Sequence, residues 1–159
     1  VTSRPEIGSG FVVLVHHAEA LGPDVDPHRA LSARGLAQAS WLANWAKAAG
    51  IFPTAVWHSG KQRSRQTAEM FLVTCNPRAD FRMVRGLRPD DPAGWMHDAL
   101  VDTSDVVVVG HMPHLPALLS LLAPGTDTFP LHGLVVLERA ISGGYEERRR
   151  VQPPAVLQE

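Results

Sequence analysis

Four consecutive valines at positions 106–109 constrain this chain more than any other feature. A run without polar alternation has no solvent face, so it reads as a strand buried on both sides of a sheet. Residues 11–15 form a second continuous run rich in β-branched side chains and read the same way. Such a sheet needs helices to cover it. After Ser32, Leu36, Ala39, Leu42, Trp45 and Ala49 recur at steps of three and four, and Gly50 ends the pattern. Ala68, Phe71, Leu72 and Cys75 mark one face of a second helix. Trp95, Met96, Ala99 and Leu100 mark a third, and Leu115, Leu118, Leu119 and Leu122 a fourth. Short strands at 54–57 and 81–84 complete the alternation. Residues 133–138 and 145–151 read as a hairpin about Ser142-Gly143-Gly144. The expected fold is α/β, a three-layer α/β/α sandwich with a mostly parallel central sheet.

The 159 residues fit one domain, with a core at about 11–152, a polar N-terminal arm and a tail containing Pro153 and Pro154. A formal charge of -1 gives no general attraction to nucleic acid or anionic membrane. No stretch approaches the roughly 18 apolar residues of a membrane span. The opening residues do not read as a secretory signal, and a cytoplasmic location is expected. Cys75 is the only cysteine, which excludes an intramolecular disulfide framework and a cysteine-cluster metal site.

In open α/β sheets, ligands bind beyond the carboxyl ends of the strands. The first strand runs into His16-His17-Ala18-Glu19, the second into His58-Ser59-Gly60 with Arg63 and Arg65 following, and the valine strand into Gly110-His111. Histidines and arginines from distant positions therefore converge at one edge. Histidine attacks phosphorus and carries the phosphoryl group covalently. Arginine neutralises phosphoryl oxygens with paired hydrogen bonds. This is a phosphoryl-transfer constellation that needs neither metal nor cofactor.

These segments carry a resemblance. Leu14-Val15-His16-His17-Ala18-Glu19-Ala20 resembles the Arg-His-Gly signature of the histidine phosphatase (phosphoglycerate mutase-like) superfamily, with histidine in the arginine's place. The segment from Ser59 to Ala68 is similar to its Ser-Pro-x-x-Arg-Ala-x-Gln-Thr-Ala element, and Val109-Gly110-His111-Met112-Pro113 to its Gly-His-Asn-Pro element. Arg29-Ala30-Leu31-Ser32, Leu87-Arg88-Pro89-Asp90 and Ala123-Pro124-Gly125 look like stretches of the short SixA-type phosphohistidine phosphatases. The resemblance implies His17 as nucleophile, Arg63 and His111 as phosphoryl-holding residues, and Arg29 and His16 as further phosphate-binding residues. Larger relatives have a glutamate acid after the third strand. Gly86 lies near that place, and Asp90 and Asp91 are the nearby substitutes.

The implied activity is removal of phosphate from protein phosphohistidine, the partner being a histidine-phosphotransfer domain or carrier. A phosphorylated imidazole leaves as a neutral base, so the missing match to the glutamate acid favours it over an ester. The alternatives are a phosphomonoesterase for a small phosphorylated metabolite and a phosphate- or phosphoprotein-binding relative with impaired turnover. His16 is the departure that matters. A histidine binding phosphate well would be cationic, while His17 needs a free nitrogen, so an acid-shifted optimum and acceleration by His16→Arg are expected. Adjacent residues in a strand point to opposite faces, so His16 and His17 are not expected to share a metal ion. His111 and His114 lack a third ligand of matching spacing. His58 and His132 read as supporting or surface residues.

Overall fold

The computed structural model describes residues 7–157. Its elements are β1 (Phe11–His16), α1 (Ala33–Ala48), β2 (Ala55–His58), α2 (Gln62–Cys75), β3 (Asp80–Met83), α3 (Ala93–Leu100), β4 (Val106–Gly110), α4 (His114–Leu122), β5 (Leu134–Arg139) and β6 (Tyr145–Val151). They form one six-stranded sheet in the order β3-β2-β4-β1-β5-β6. The first four of these strands are parallel, and β5 and β6 join antiparallel. The three-layer expectation holds.

The valine strand is buried throughout and lies between β2 and β1. Its side chains split by the pleat. Val107 and Val109 pack with Val13, Val15, Val56 and the inner faces of α1 and α2. Val106 and Val108 pack with Val12, Leu14, Trp57 and the leucines of α4. So α1 and α2 cover one face, and α3 and α4 the other. The chain moves outward to β3, then reverses to β4. Such a reversal leaves a crevice beyond the strand ends.

Helix stripes depart from the sequence reading. Leu36 is 44% exposed and Trp95 is 48% exposed, while Trp45 and Leu72 are only partly buried. The buried face of α1 is instead Gly35, Gln38, Ala39, Leu42, Ala43 and Ala46. Small residues let a helix lie close to its neighbours. A methyl group on Gly35 would overlap the backbone carbonyl of Glu19. Ser32 caps α1, its hydroxyl accepting the Gly35 N–H at 3.0 Å.

Most of the expected N-terminal arm, residues 1–6, lies outside the described residues. Ile7 is already core, with its N–H donating to the Ala49 carbonyl at 2.7 Å. At the other end Arg34 donates to the Ala155 carbonyl at 2.9 Å, which ties the tail to the start of α1. No described helix is long and apolar enough to cross a membrane.

Candidate active site

His17 sits one residue past β1, and three elements fix its loop. Its own N–H donates to the Gly110 carbonyl at the end of β4 (3.1 Å). The next N–H, of Ala18, donates to Thr67 Oγ1 on α2 (3.0 Å), and that of Glu19 to Gln38 Oε1 on α1 (2.9 Å). The ring Nδ1 of His17 lies 2.8 Å from the Ala18 carbonyl. A carbonyl only accepts, so Nδ1 carries the proton and Nε2 presents its lone pair. Burial pulls the His17 pKa down to about 4; the Ala18 bond opposes this, and the charge of Arg63 adds to it. The ring is therefore neutral at pH 7.

Two donors stand beside it. His111 lies with its ring centroid 5.1 Å from that of His17. Its Nε2 is 2.6 Å from Ser59 Oγ. That hydroxyl accepts the Lys61 N–H at 3.3 Å and has no other acceptor to serve among the described residues, so it donates to Nε2. The proton of His111 is then on Nδ1, which is buried and without a partner among the described residues. Burial, with His17 and Arg63 adding to it, lowers the His111 pKa to about 3. Arg63, in the first turn of α2, has a buried Nε that is also without a partner. Unsatisfied buried donors are uncommon and costly. Here one is on the ring beside His17 and the other on a residue whose charge reaches that ring, an arrangement that a bound anion would satisfy.

His16 departs from the expectation of a cation. The backbone N–H of His132 donates to its Nδ1 at 2.8 Å, so its proton belongs on Nε2. Burial and then the neighbouring His17, His132, His111 and Arg63 push its pKa down to about 2. His16 is a single neutral donor. His132 stacks on it, with centroids 4.8 Å apart and planes 5° apart, and donates from its own Nδ1 to the His17 carbonyl at 2.8 Å. A left-handed backbone at His132 (φ 52°) makes this placement.

The opposite-faces argument fails for His16 and His17. The strand ends at His16, the pleat no longer governs the next residue, and the two ring centroids are 4.5 Å apart. His16, His17 and His132 bring one ring nitrogen each within 4.8 Å of one another, a spacing open to a metal ion. His17 and His132 each donate from Nδ1 to a carbonyl and keep an Nε2 lone pair, whereas His16 accepts at Nδ1 and holds its proton on Nε2. The cluster thus presents two lone pairs and one donor rather than three lone pairs.

Arg29 has a left-handed backbone (φ 52°) and donates from Nε to the Leu21 carbonyl at 2.9 Å. Its charge reaches both Arg63 and His17. Of the two carboxylates, Asp90 is exposed on a turn, whereas Asp91 lines a cleft that also includes Ser59. Gly86 has φ 98°, and a Cβ there would lie 3.1 Å from Trp95 Cβ. The backbone thus refuses a glutamate at that position. His58 accepts the Gly60 N–H at Nδ1 (3.0 Å) and packs on Phe81, a supporting role as expected.

The polar residues following Arg63 turn out to be clamps. Ser64 accepts the Ser59 N–H at 3.1 Å and donates to the Val109 carbonyl at 2.8 Å. Gln66 accepts the Leu31 N–H at 2.8 Å, and Thr67 the Ala18 N–H. Sequence reading left His132 as a supporting or surface residue and did not join it to His16. The signal was position: it lies two residues before β5, whose start lies beside the end of β1 in the antiparallel register Val15–Leu134.

No family model and no curated protein sequence matches the chain. Solved structures do. The protein histidine phosphatase SixA complexed with tungstate superposes with TM-score 0.79 at 23% identity, over 89% of this chain and 96% of that one. A protein named as phosphohistidine phosphatase SixA from Nakamurella multipartitia gives 0.69 at 26% identity, over 95% and 99%. Phosphoserine phosphatase from Entamoeba histolytica, with 3-phosphoglyceric acid, gives 0.66 at 13% identity, over 87% and 95%. The resemblance read from three short motifs thus extends over most of the chain, which has the fold of the histidine phosphatase and phosphoglycerate mutase-like proteins.

Proposed function

We propose that this protein is a phosphatase that works through a phosphorylated His17, and that its substrate is phosphohistidine on a protein. The observation that carries the reading is the fixed tautomer of His17, whose Nδ1–H is tied to the Ala18 carbonyl while Nε2 is free beside two unpartnered donors, Arg63 Nε and His111 Nδ1. The three solved structures above are of phosphatases, two of them acting by name on histidine.

In the first step Nε2 attacks phosphorus as the P–N bond to the substrate imidazole breaks. The departing nitrogen keeps the electron pair, and the proton already on the other ring nitrogen makes the product neutral. Arg63, His111, His16 and Arg29 stabilise the charge on the equatorial oxygens. Water then attacks the phosphoryl group, His17 leaves with its pair on Nε2, and the water proton passes to phosphate or solvent. No general acid is needed for this leaving group. An ester would need one, and Asp91 is the carboxylate that lines the adjoining cleft. The metabolite reading therefore requires that Asp91→Asn abolish turnover.

Intact mass measurement after mixing with phosphoramidate tests the proposal, with acid avoided throughout. A phosphoryl adduct that is absent in His17→Ala and decays with phosphate release is the expected result. Folded protein that forms no adduct and releases no phosphate between pH 5 and 8 overturns it in favour of a binding relative.

A further inference from the structure

The phosphohistidine chemistry above does not use the cleft that reaches Ser59. It encloses about 440 Å³, and its walls include Ser59, Arg85, Gly86, Arg88, Asp91 and Trp95. Ser59 belongs to both places, since its Oγ holds His111. A group attached to a phosphoryl held at His111 and His17 therefore has this space beside it. The volume is in the range of small-ligand clefts.

Its charge is uneven. Arg85 places its guanidinium carbon 5.2 Å from the centroid of the Trp95 ring. Stacking holds the fork by its face and leaves the N–H edge available. Five other arginines find carboxylates: Arg34 with Glu19, Arg65 with Glu69, Arg82 with Asp80, Arg148 with Glu138 and Arg150 with Glu147. Among the described residues, the Arg85 and Arg88 side chains have no such partner. Asp91 is the acid among the described residues that line the cleft, and one of its carboxylate oxygens is engaged. Its Oδ2 accepts the backbone N–H of Arg88 at 3.0 Å, and its charge acts on buried His114. The loop is closed by this bond and by Asp91 N–H to the Arg88 carbonyl at 3.1 Å. Arg88 thus rises from a constrained turn and Arg85 lies against Trp95, in a chain whose formal charge of -1 gives anions no general attraction.

We propose that Arg85 and Arg88 bind a carboxylate carried by the phosphorylated substrate, so that the site selects phosphoryl groups on acidic carriers. This rests on the phosphatase reading and names its substrate class. The carboxylate has two possible sources: an Asp or Glu side chain flanking phosphohistidine in a protein, and the acid group of a small phosphorylated metabolite.

The test compares matched substrates. One pair is phosphohistidine peptides identical except for Glu or Gln on both sides of the phosphorylated residue. The other is 3-phosphoglycerate and glycerol phosphate. With native protein, KM for the acidic member is expected to be about tenfold below that of its neutral match. In Arg85→Gln/Arg88→Gln the ratio should fall to about one, with kcat little changed. Selectivity within the peptide pair assigns the protein source, and within the second pair the metabolite source. Equal KM values within both pairs, or a ratio that survives the double substitution, overturn the proposal.

Phosphoramidate, which has no carboxylate, reports on the phosphatase reading alone. If it is not turned over, the same pairs made as phosphonates are measured by direct binding to native protein and the double variant. Charge-dependent affinity lost in the variant then upholds the cleft assignment, and its absence defeats it.

Discussion

The backbone N–H of His132 points at Nδ1 of His16 from 2.8 Å. That bond decides what His16 offers to a phosphoryl group. With Nδ1 occupied as an acceptor, the ring stays neutral and turns one N–H outward from Nε2. Arginine in its place would bring a permanent charge and a fork. His16 therefore supplies a single donor rather than a pH-dependent cation.

The pH profile follows from this. His16, with a pKa of about 2, and His17, at about 4, do not titrate between pH 5 and 8 in the free protein. After correction for the substrate's own ionisation, kcat/KM for phosphoramidate should be flat across that range. It should fall as pH approaches 4, where Nε2 of His17 takes a proton. An inflection near 6.5 that disappears in His16→Gln would show instead that His16 works as a cation.

Stability has its own acid dependence. His16, His17 and His111 are held neutral, with folded pKa values of about 2, 4 and 3 against an ordinary 6.5. The unfolded chain binds these protons first, so stability is full above 6.5 and is lost as pH falls below it. Each group contributes a slope of up to about 1.4 kcal/mol per pH unit. Urea midpoints at pH 7, 6 and 5 should fall progressively, and His16→Phe should flatten the decline. A midpoint unchanged from pH 7 to 5 would contradict the burial of neutral rings.

Oxyanions should stabilise the fold. His111 Nδ1 and Arg63 Nε are buried donors without partners, and an anion satisfies both. Tungstate at about a hundred times its Kd should add roughly 2.7 kcal/mol to the unfolding free energy. The gain should be largely lost in Arg63→Ala. A Tm indifferent to tungstate would mean that these donors do not form an anion site.

Thr67 tests how the His17 loop is held. Its hydroxyl accepts the Ala18 N–H at 3.0 Å and donates to the Arg63 carbonyl at 2.9 Å. Thr67→Val keeps the volume and leaves a buried N–H unpaired, at a cost of about 1–3 kcal/mol. Both Tm and phosphoramidate turnover should drop, with the drop in turnover appearing mainly in kcat. Normal kcat in a destabilised protein would show that the loop does not set the attack geometry.

The strand buried on both faces was legible in the sequence, because four valines at 106–109 leave no polar face, and so was the buried stripe of α4, Leu115, Leu118, Leu119 and Leu122. The face of α1 was not. Periodicity weighs large apolar side chains, and this helix packs through Gly35, Ala39, Ala43 and Ala46 while exposing Leu36. His16, His17, Arg63 and His111 could be gathered from strand ends alone. The His132–His16 bond could not, since it joins residues 116 positions apart through a backbone amide whose direction depends on a left-handed residue.

Helix α2 also bears on how the protein fails. Ser64, Gln66 and Thr67 tether residues 59, 109, 31 and 18 to one helix. The His17 ring, its anchoring loop and the strand end behind them thus share a single mechanical support. Undocking α2 would release every one of these tethers at once. Turnover should therefore vanish in the same transition as the global structure, and no partly unfolded form should retain a weakened version of it.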